Sequence, residues 1–214
     1  MQTFCSSCLN SFFFVTFLFL YQSLINFFLL DDCIERFRTY ISNNPTAAVK
    51  DQAEELKNLQ TMASLRPADR CIIYLGAVFT EQAITKNESE KFKDMLSTLA
   101  ASEIQQRHLL AATEWFCGTR FPSLTRFYPK LLLQLYEAEV VEEDTFLAWA
   151  ADTTRNEFTA DVSLIEFEVL ETLHAAASPF IKWLQEAEEE GEEDDEEEEE
   201  EGDEESGEGE DEEK

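Results

Sequence analysis

Glycine is scarce in this chain. Only Gly76 and Gly118 of six glycines fall within the body of the sequence, so no Gly-rich loop brings backbone amides around a phosphate, and nucleotide binding is disfavoured. Histidine is scarcer still. His108 and His174 stand far apart with no cysteine beside them and no metal-ligand spacing, which is the pattern of structural or exposed side chains. Basic residues are also few, 16 against 46 acids for a formal charge of −30, and such a chain repels nucleic-acid phosphates while attracting basic proteins. Cys5 and Cys8 make a CxxC without the second pair that a zinc ribbon needs, and the other cysteines (Cys33, Cys71, Cys117) are scattered, which suits a reducing compartment. These shortages leave no catalytic residue, no cofactor and no metal to assign.

The acids that are present are unevenly spread. Glu186 to Lys214 holds 22 of them and one lysine, leaving 24 acids against 15 bases in residues 1–185. A tail from residue 191 to 214 with no apolar side chain to bury and strong self-repulsion is expected to be disordered. At the other end, Phe12 to Leu30 is a mostly Phe and Leu stretch about long enough to cross a bilayer. No Lys or Arg precedes Arg36, so the basic start of a signal peptide is missing. Residues 1–30 are read as either a membrane-anchor candidate or a faulty chain start, ahead of a helical domain over residues 31–190.

Within that domain the periodicity is helical. Ile34, Phe37 and Ile41 share a face before Asn43-Asn44-Pro45 stops the first helix, and Thr46 to Leu65 reads as a second. Pro67 is placed to open a third, with Ile72, Ile73, Leu75, Val78 and Phe79 on its apolar face. Asn87-Glu88-Ser89-Glu90 and Ser102-Glu103-Ile104-Gln105 both read as capping boxes, and Gly118 as the end of the helix that the second one opens. Pro129 begins a helix carrying Leu131, Leu132 and Leu135. A helix over Asp161 to Ala176 follows, and Ser178-Pro179 starts a last one, Phe180 to about Glu190. Strand-like alternation is scarce. An all-α architecture of about eight antiparallel helices results, either a bundle or stacked helix pairs of a short solenoid.

One pattern occurs twice. Tyr136 to Trp149 combines Tyr136 with Glu142-Glu143-Asp144 and the pair Phe146 and Trp149; Phe180 to Glu190 combines Phe180 and Trp183 with Glu186, Glu188, Glu189 and Glu190. In both, a Phe precedes a Trp by three, so the rings share a helix face beside carboxylates. Core packing is the ordinary fate of such pairs, and three consecutive carboxylates usually form a solvated first helical turn.

The segments YEAEVVEEDTFLAW and PFIKWLQEAEEE resemble the paired aromatic-acidic boxes of the two-tryptophan domain at the C-terminus of eukaryotic translation initiation factor five, also found in the epsilon subunit of the exchange factor for initiation factor two and in factor five mimics. The resemblance implies a stack of HEAT-like helix pairs. It matches Trp149 and Trp183 to the two namesake tryptophans, Phe146 and Phe180 to their companions, and Tyr136, Glu142, Glu143, Asp144, Glu186, Glu188, Glu189 and Glu190 to the surrounding box positions. It further implies a cytoplasmic, monomeric binding module. Its partners are then the lysine-rich segment of the beta subunit of initiation factor two, together with initiation factors one and three. The arginine and four-cysteine zinc ribbon of the family's GTPase-activating module are not found in this sequence, so no enzyme activity is expected. Exchange-factor-like and mimic-like roles stay open as alternatives, as does a membrane-tethered acidic adaptor.

Overall fold

Ile34 and Phe37 recur at helical spacing with Leu30 and Cys33, and the four form the buried stripe of the first helix, α1. The computed structural model describes residues 25, 27–152, 154–156, 158 and 164–202, with side chains as far as residue 187. In it α1 covers 27–43, followed by α2 (Val49–Met62), α3 (Asp69–Val78), α4 (Glu88–Lys91), α5 (Lys93–Leu99) and α6 (Glu103–Trp115). A π-helical turn (Phe116–Arg120) and a 3₁₀ segment (Pro122–Phe127) lead into α7 (Tyr128–Glu137), α8 (Glu143–Ala151) and α9 (Phe167–Gly202). No strand occurs among the described residues, and the fold is the stacked, HEAT-like arrangement of helix pairs. α3 packs on α6, α2 on α3 and α5, and α7 on α9, with α8 wedged between α6 and α9.

Leu30 is 3% exposed, so the helical body extends upstream of the boundary expected at Asp31. Most of the Phe12 to Leu30 stretch lies outside the described residues, and no described helix is long and apolar enough to cross a membrane. Arg38 on α1 reaches α3, donating from Nη2 to Gly76 O at 2.6 Å and from Nε to Ala77 O at 3.3 Å, which satisfies carbonyls that the end of α3 leaves open. Gly76 allows that approach: a Cβ there would meet Ile34 Cδ1 at 2.8 Å and Trp115 Cη2 at 3.1 Å.

Several expected signals act differently. Pro67 sits in a turn before α3, whose start is fixed by Asp69, the side chain of which accepts the Arg66 N–H at 2.9 Å. Neither expected capping box forms. Asn87 is left-handed at φ 48°, while Ser102 does precede α6 in an extended conformation but directs its hydroxyl to Gln105 Oε1 at 3.3 Å. The Glu88 carboxylate accepts instead from Thr80 N at 2.8 Å and Thr80 Oγ1 at 2.9 Å, fastening the 79–88 connection. Gly118 does not end a helix at a left-handed position. It lies in the π-helical turn, where a Cβ would come within 2.6 Å of Val169 Cγ1.

The largest difference is at the C-terminal end. Val162 lies outside the described residues and Ile165 is in a turn, so the helix expected from Asp161 starts at Phe167. It then runs through Ser178-Pro179 without a break, making one helix of the two expected. Leu170, Leu173, Ala177, Phe180 and Leu184, spaced by three and four, form a single buried stripe on both sides of the proline. Proline removes one backbone donor, and the carbonyl four residues earlier belongs to exposed Ala175, where water can serve it. The backbone is helical to Gly202, beyond the end expected near Glu190.

Candidate functional site

The two aromatic-acidic segments meet around Tyr136. α7 ends in a Schellman closure, with Glu139 left-handed at φ 54°, Val140 N donating to Leu135 O at 3.0 Å and Glu139 N to Tyr136 O at 2.8 Å. Val140 and Leu135 are both buried, which fixes the turn from α7 into α8. Glu142 is the N-cap of α8 with an extended backbone, and Glu143 and Asp144 occupy the first turn, where carboxylates complement the helix dipole. Gln106 on α6 holds this corner: its Oε1 accepts from Glu142 N at 3.0 Å and from Thr145 Oγ1 at 2.7 Å.

Tyr136 stands at the centre of four rings. Its centroid lies 6.4 Å from Phe146, 6.5 Å from Phe180 and 5.6 Å from Trp183, and Phe146 and Phe180 are 5.1 Å apart. All four contacts are edge-to-face, the geometry in which ring quadrupoles attract. Its hydroxyl donates to Glu143 Oε2 at 3.2 Å; burial, then the Glu143 charge, holds the phenol above the ordinary tyrosine range.

Burial divides the predicted residues. Phe146 is fully buried, Phe180 nearly so, and Trp149 is 5% exposed, so these three support the surface from below and present no face to a partner. Trp183 is 45% exposed. Glu142, Asp144 and Glu186 are exposed and Glu143 half-buried, while the side chains of Glu188, Glu189 and Glu190 lie outside the described residues. Tyr136, Glu142, Glu143, Asp144 and Ala187 line an open hollow of about 550 Å³ beside the exposed indole. A ring face next to several carboxylates on a water-accessible hollow suits an extended, flexible cation such as lysine.

Trp149 points elsewhere. Its Nε1–H donates to Glu114 Oε1 at 2.8 Å, the same oxygen lies 3.1 Å from His174 Nε2, and the His174 ring sits 4.2 Å from the indole. Glu114 and Gln106 are residues that the sequence does not single out, and His174 is read there only as structural or exposed, because their partners lie 35 to 60 positions away and no local spacing announces them. Among the described residues no group of three or more His, Cys, Asp or Glu side chains is arranged to hold a metal.

Comparison with known proteins gives the same assignment. Residues 105–194 match the family described as "W2: eIF4-gamma/eIF5/eIF2-epsilon". Eukaryotic translation initiation factor 5 of Mus musculus is 31% identical over 84 residues, covering 39% of this chain and 18% of that protein. The probable factor 5 of Schizosaccharomyces pombe is 33% identical over 103 residues (48% and 24%), and that of Caenorhabditis elegans 27% over 146 residues (68% and 30%). The chain thus spans less than a third of these relatives' own length. A solved structure, the C-terminal domain of translation initiation factor 5 at low pH, superposes with a TM-score of 0.57 at 22% identity, covering 76% of this chain and 96% of that one, and shows the shared fold. Both aromatic boxes lie inside the matched segment, so residues 105–194 are similar to the two-tryptophan domain of the eIF4-gamma/eIF5/eIF2-epsilon family.

Proposed function

We propose that the chain is a docking module of translation initiation whose Trp183 face binds a lysine-rich segment of a partner, the beta subunit of initiation factor two, and through the same domain contacts initiation factors one and three. It acts by binding and not by catalysis, in the cytoplasm. The observation that carries this reading is the exposed indole of Trp183, held at 5.6 Å from Tyr136 beside the hollow rimmed by Glu142, Glu143 and Asp144. Long-range attraction from the acidic segment raises the encounter rate, and the ordered ring and carboxylates slow dissociation.

Titration of a lysine-repeat peptide into the full chain, followed by Trp183 fluorescence and calorimetry, tests this. Binding that weakens steeply with salt and is reduced by Trp183→Ala or by Glu143→Gln supports it. Saturable binding that is indifferent to both substitutions places the partner on another surface.

A further inference from the structure

Several of the chain's few cations already hold an acid: Arg36 pairs with Asp32, Arg66 with Asp69, Lys93 with Glu139 and Arg107 with Asp152. Lys50, Lys57 and Arg70 form no ion pair among the described residues, although exposed Glu54 stands four residues after Lys50 and three before Lys57 on α2. All three line one groove of about 380 Å³ between α2, α3, α5 and the start of α6, where Glu54 is the one acid among the described lining residues. Arg70 is fixed there by its Nε, which donates to Pro67 O at 3.0 Å, so its terminal nitrogens are pre-placed for a carboxylate. Buried Cys71 and Leu99 and half-buried Ala53 supply an apolar part of the lining, and Asn58 and Gln105 supply amides. The hollow beside Trp183 is lined instead from α7, α8 and α9, and the two surfaces share no residue.

We infer that this groove docks a carboxylate-rich segment of a partner protein, lying extended along α2 with an aliphatic side chain among its acids. Charge complementarity selects the acids: three unpaired cations face one carboxylate in a chain that is otherwise strongly acidic. Spacing selects an extended chain. Lys50 and Lys57 are seven residues apart on one face of α2, about 10 Å along its axis, and a polyproline II segment repeats its side-chain direction every three residues, about 9 Å. The apolar part of the lining selects a peptide, whose aliphatic side chain it can cover. A nucleic acid carries a phosphate at every step and needs a continuous basic stripe, which three cations on a chain of net charge −30 do not make. With a lysine-rich segment at Trp183 and an acidic one at Lys50 and Lys57, one molecule can join two partners of opposite charge.

Fluorescence anisotropy of a labelled octapeptide, glutamates around a central leucine, titrated with the full chain at low and at physiological salt, tests the inference. Saturable binding is expected, weakened about five-fold by Lys50→Gln with Lys57→Gln, both exposed positions that leave the melting temperature unchanged. The charge-matched pair Lys86→Gln with Lys130→Gln, on exposed lysines outside the groove, should bind as the native chain does, and so should Trp183→Ala. Replacing the leucine of the peptide by serine should weaken binding further. Equal losses in the two lysine pairs would reveal attraction to any exposed cation and overturn the site, as would a native chain that does not bind. Loss of binding in Trp183→Ala would overturn the separation of the two surfaces. An oligothymidylate of the same charge that binds through Lys50 and Lys57 more tightly than the peptide would make the groove a nucleic-acid site and overturn the assignment of its occupant.

Discussion

The indole N–H of Trp149 and the carboxylate of Glu114 are bonded at 2.8 Å across 35 positions of sequence, with Glu114 only 1% exposed. One of the two namesake tryptophans therefore fastens α8 to α6, while the other, Trp183, faces solvent. Trp149→Phe keeps most of the packed area but leaves a buried acceptor short of a donor. The expected loss is about 1 to 3 kcal/mol, rising to about 3 to 5 kcal/mol for Trp149→Ala, where a cavity is added. Thermal or urea unfolding measures both, and a Trp149→Phe chain as stable as the native one would remove the structural role.

Gly118 makes a second stability test. A methyl group there meets Val169 Cγ1 at 2.6 Å, Ile165 Cδ1 at 3.0 Å and Leu173 Cδ1 at 3.1 Å, all side chains that approach the π-helical turn. Gly118→Ala should cost about 1 to 3 kcal/mol by overpacking, and adding Val169→Ala should recover part of it. An additive loss in the double variant would contradict the contact.

The buried thiols should be silent until the fold opens. Burial pushes both Cys71 and Cys117 up to about 12 and raises Cys33 as well. At pH 8 the thiolate population of Cys71 or Cys117 is then about a thousandfold below that of an unfolded chain, so alkylation should follow unfolding. Because the folded values are raised, their contribution to stability is intact below about pH 9 and falls as pH rises from there toward 12. Rapid labelling of Cys71 or Cys117 in the native chain, read by mass spectrometry, would count against this.

Much of the site was legible from local spacing. Pro129 near the start of α7 and the carboxylates Glu142 to Asp144 at the start of α8 follow from rules that act within one helical turn, and the structure agrees with them. What was missed needs information from other elements. Ser178-Pro179 resembles a helix start, but the stripe Leu173, Ala177, Phe180, Leu184 is continuous across it, and burial of that stripe outweighs one lost hydrogen bond. Phe146 and Trp149 look like Phe180 and Trp183 in sequence. Only the position of α6 beneath α8 makes Trp149 a buried donor, while Trp183 sits on the open side of α9.

The acidic extension of α9 should respond to protonation. Residues 191–202 contain no apolar side chain, and like charges three and four apart destabilise a helix by about 0.2 to 0.5 kcal/mol per pair. We expect this stretch to exchange its amides rapidly at pH 7, with helical signal growing as pH falls through the ordinary glutamate range near 4.3. Slow exchange over 192–202 at neutral pH would show that something other than charge stabilises it.

The most direct test of the central claim compares two substitutions in one experiment, measuring melting temperature and affinity for a lysine-repeat peptide on the same samples. Trp183 is 45% exposed, and a cation over such a ring is worth about 0.5 to 1 kcal/mol, so Trp183→Ala should weaken binding by roughly two- to five-fold with little change in melting temperature. Trp149→Phe should do the reverse, lowering the melting temperature while the folded fraction binds as before. Unchanged peptide affinity in folded Trp183→Ala would contradict the assignment of the exposed indole as the contact for a lysine-rich partner.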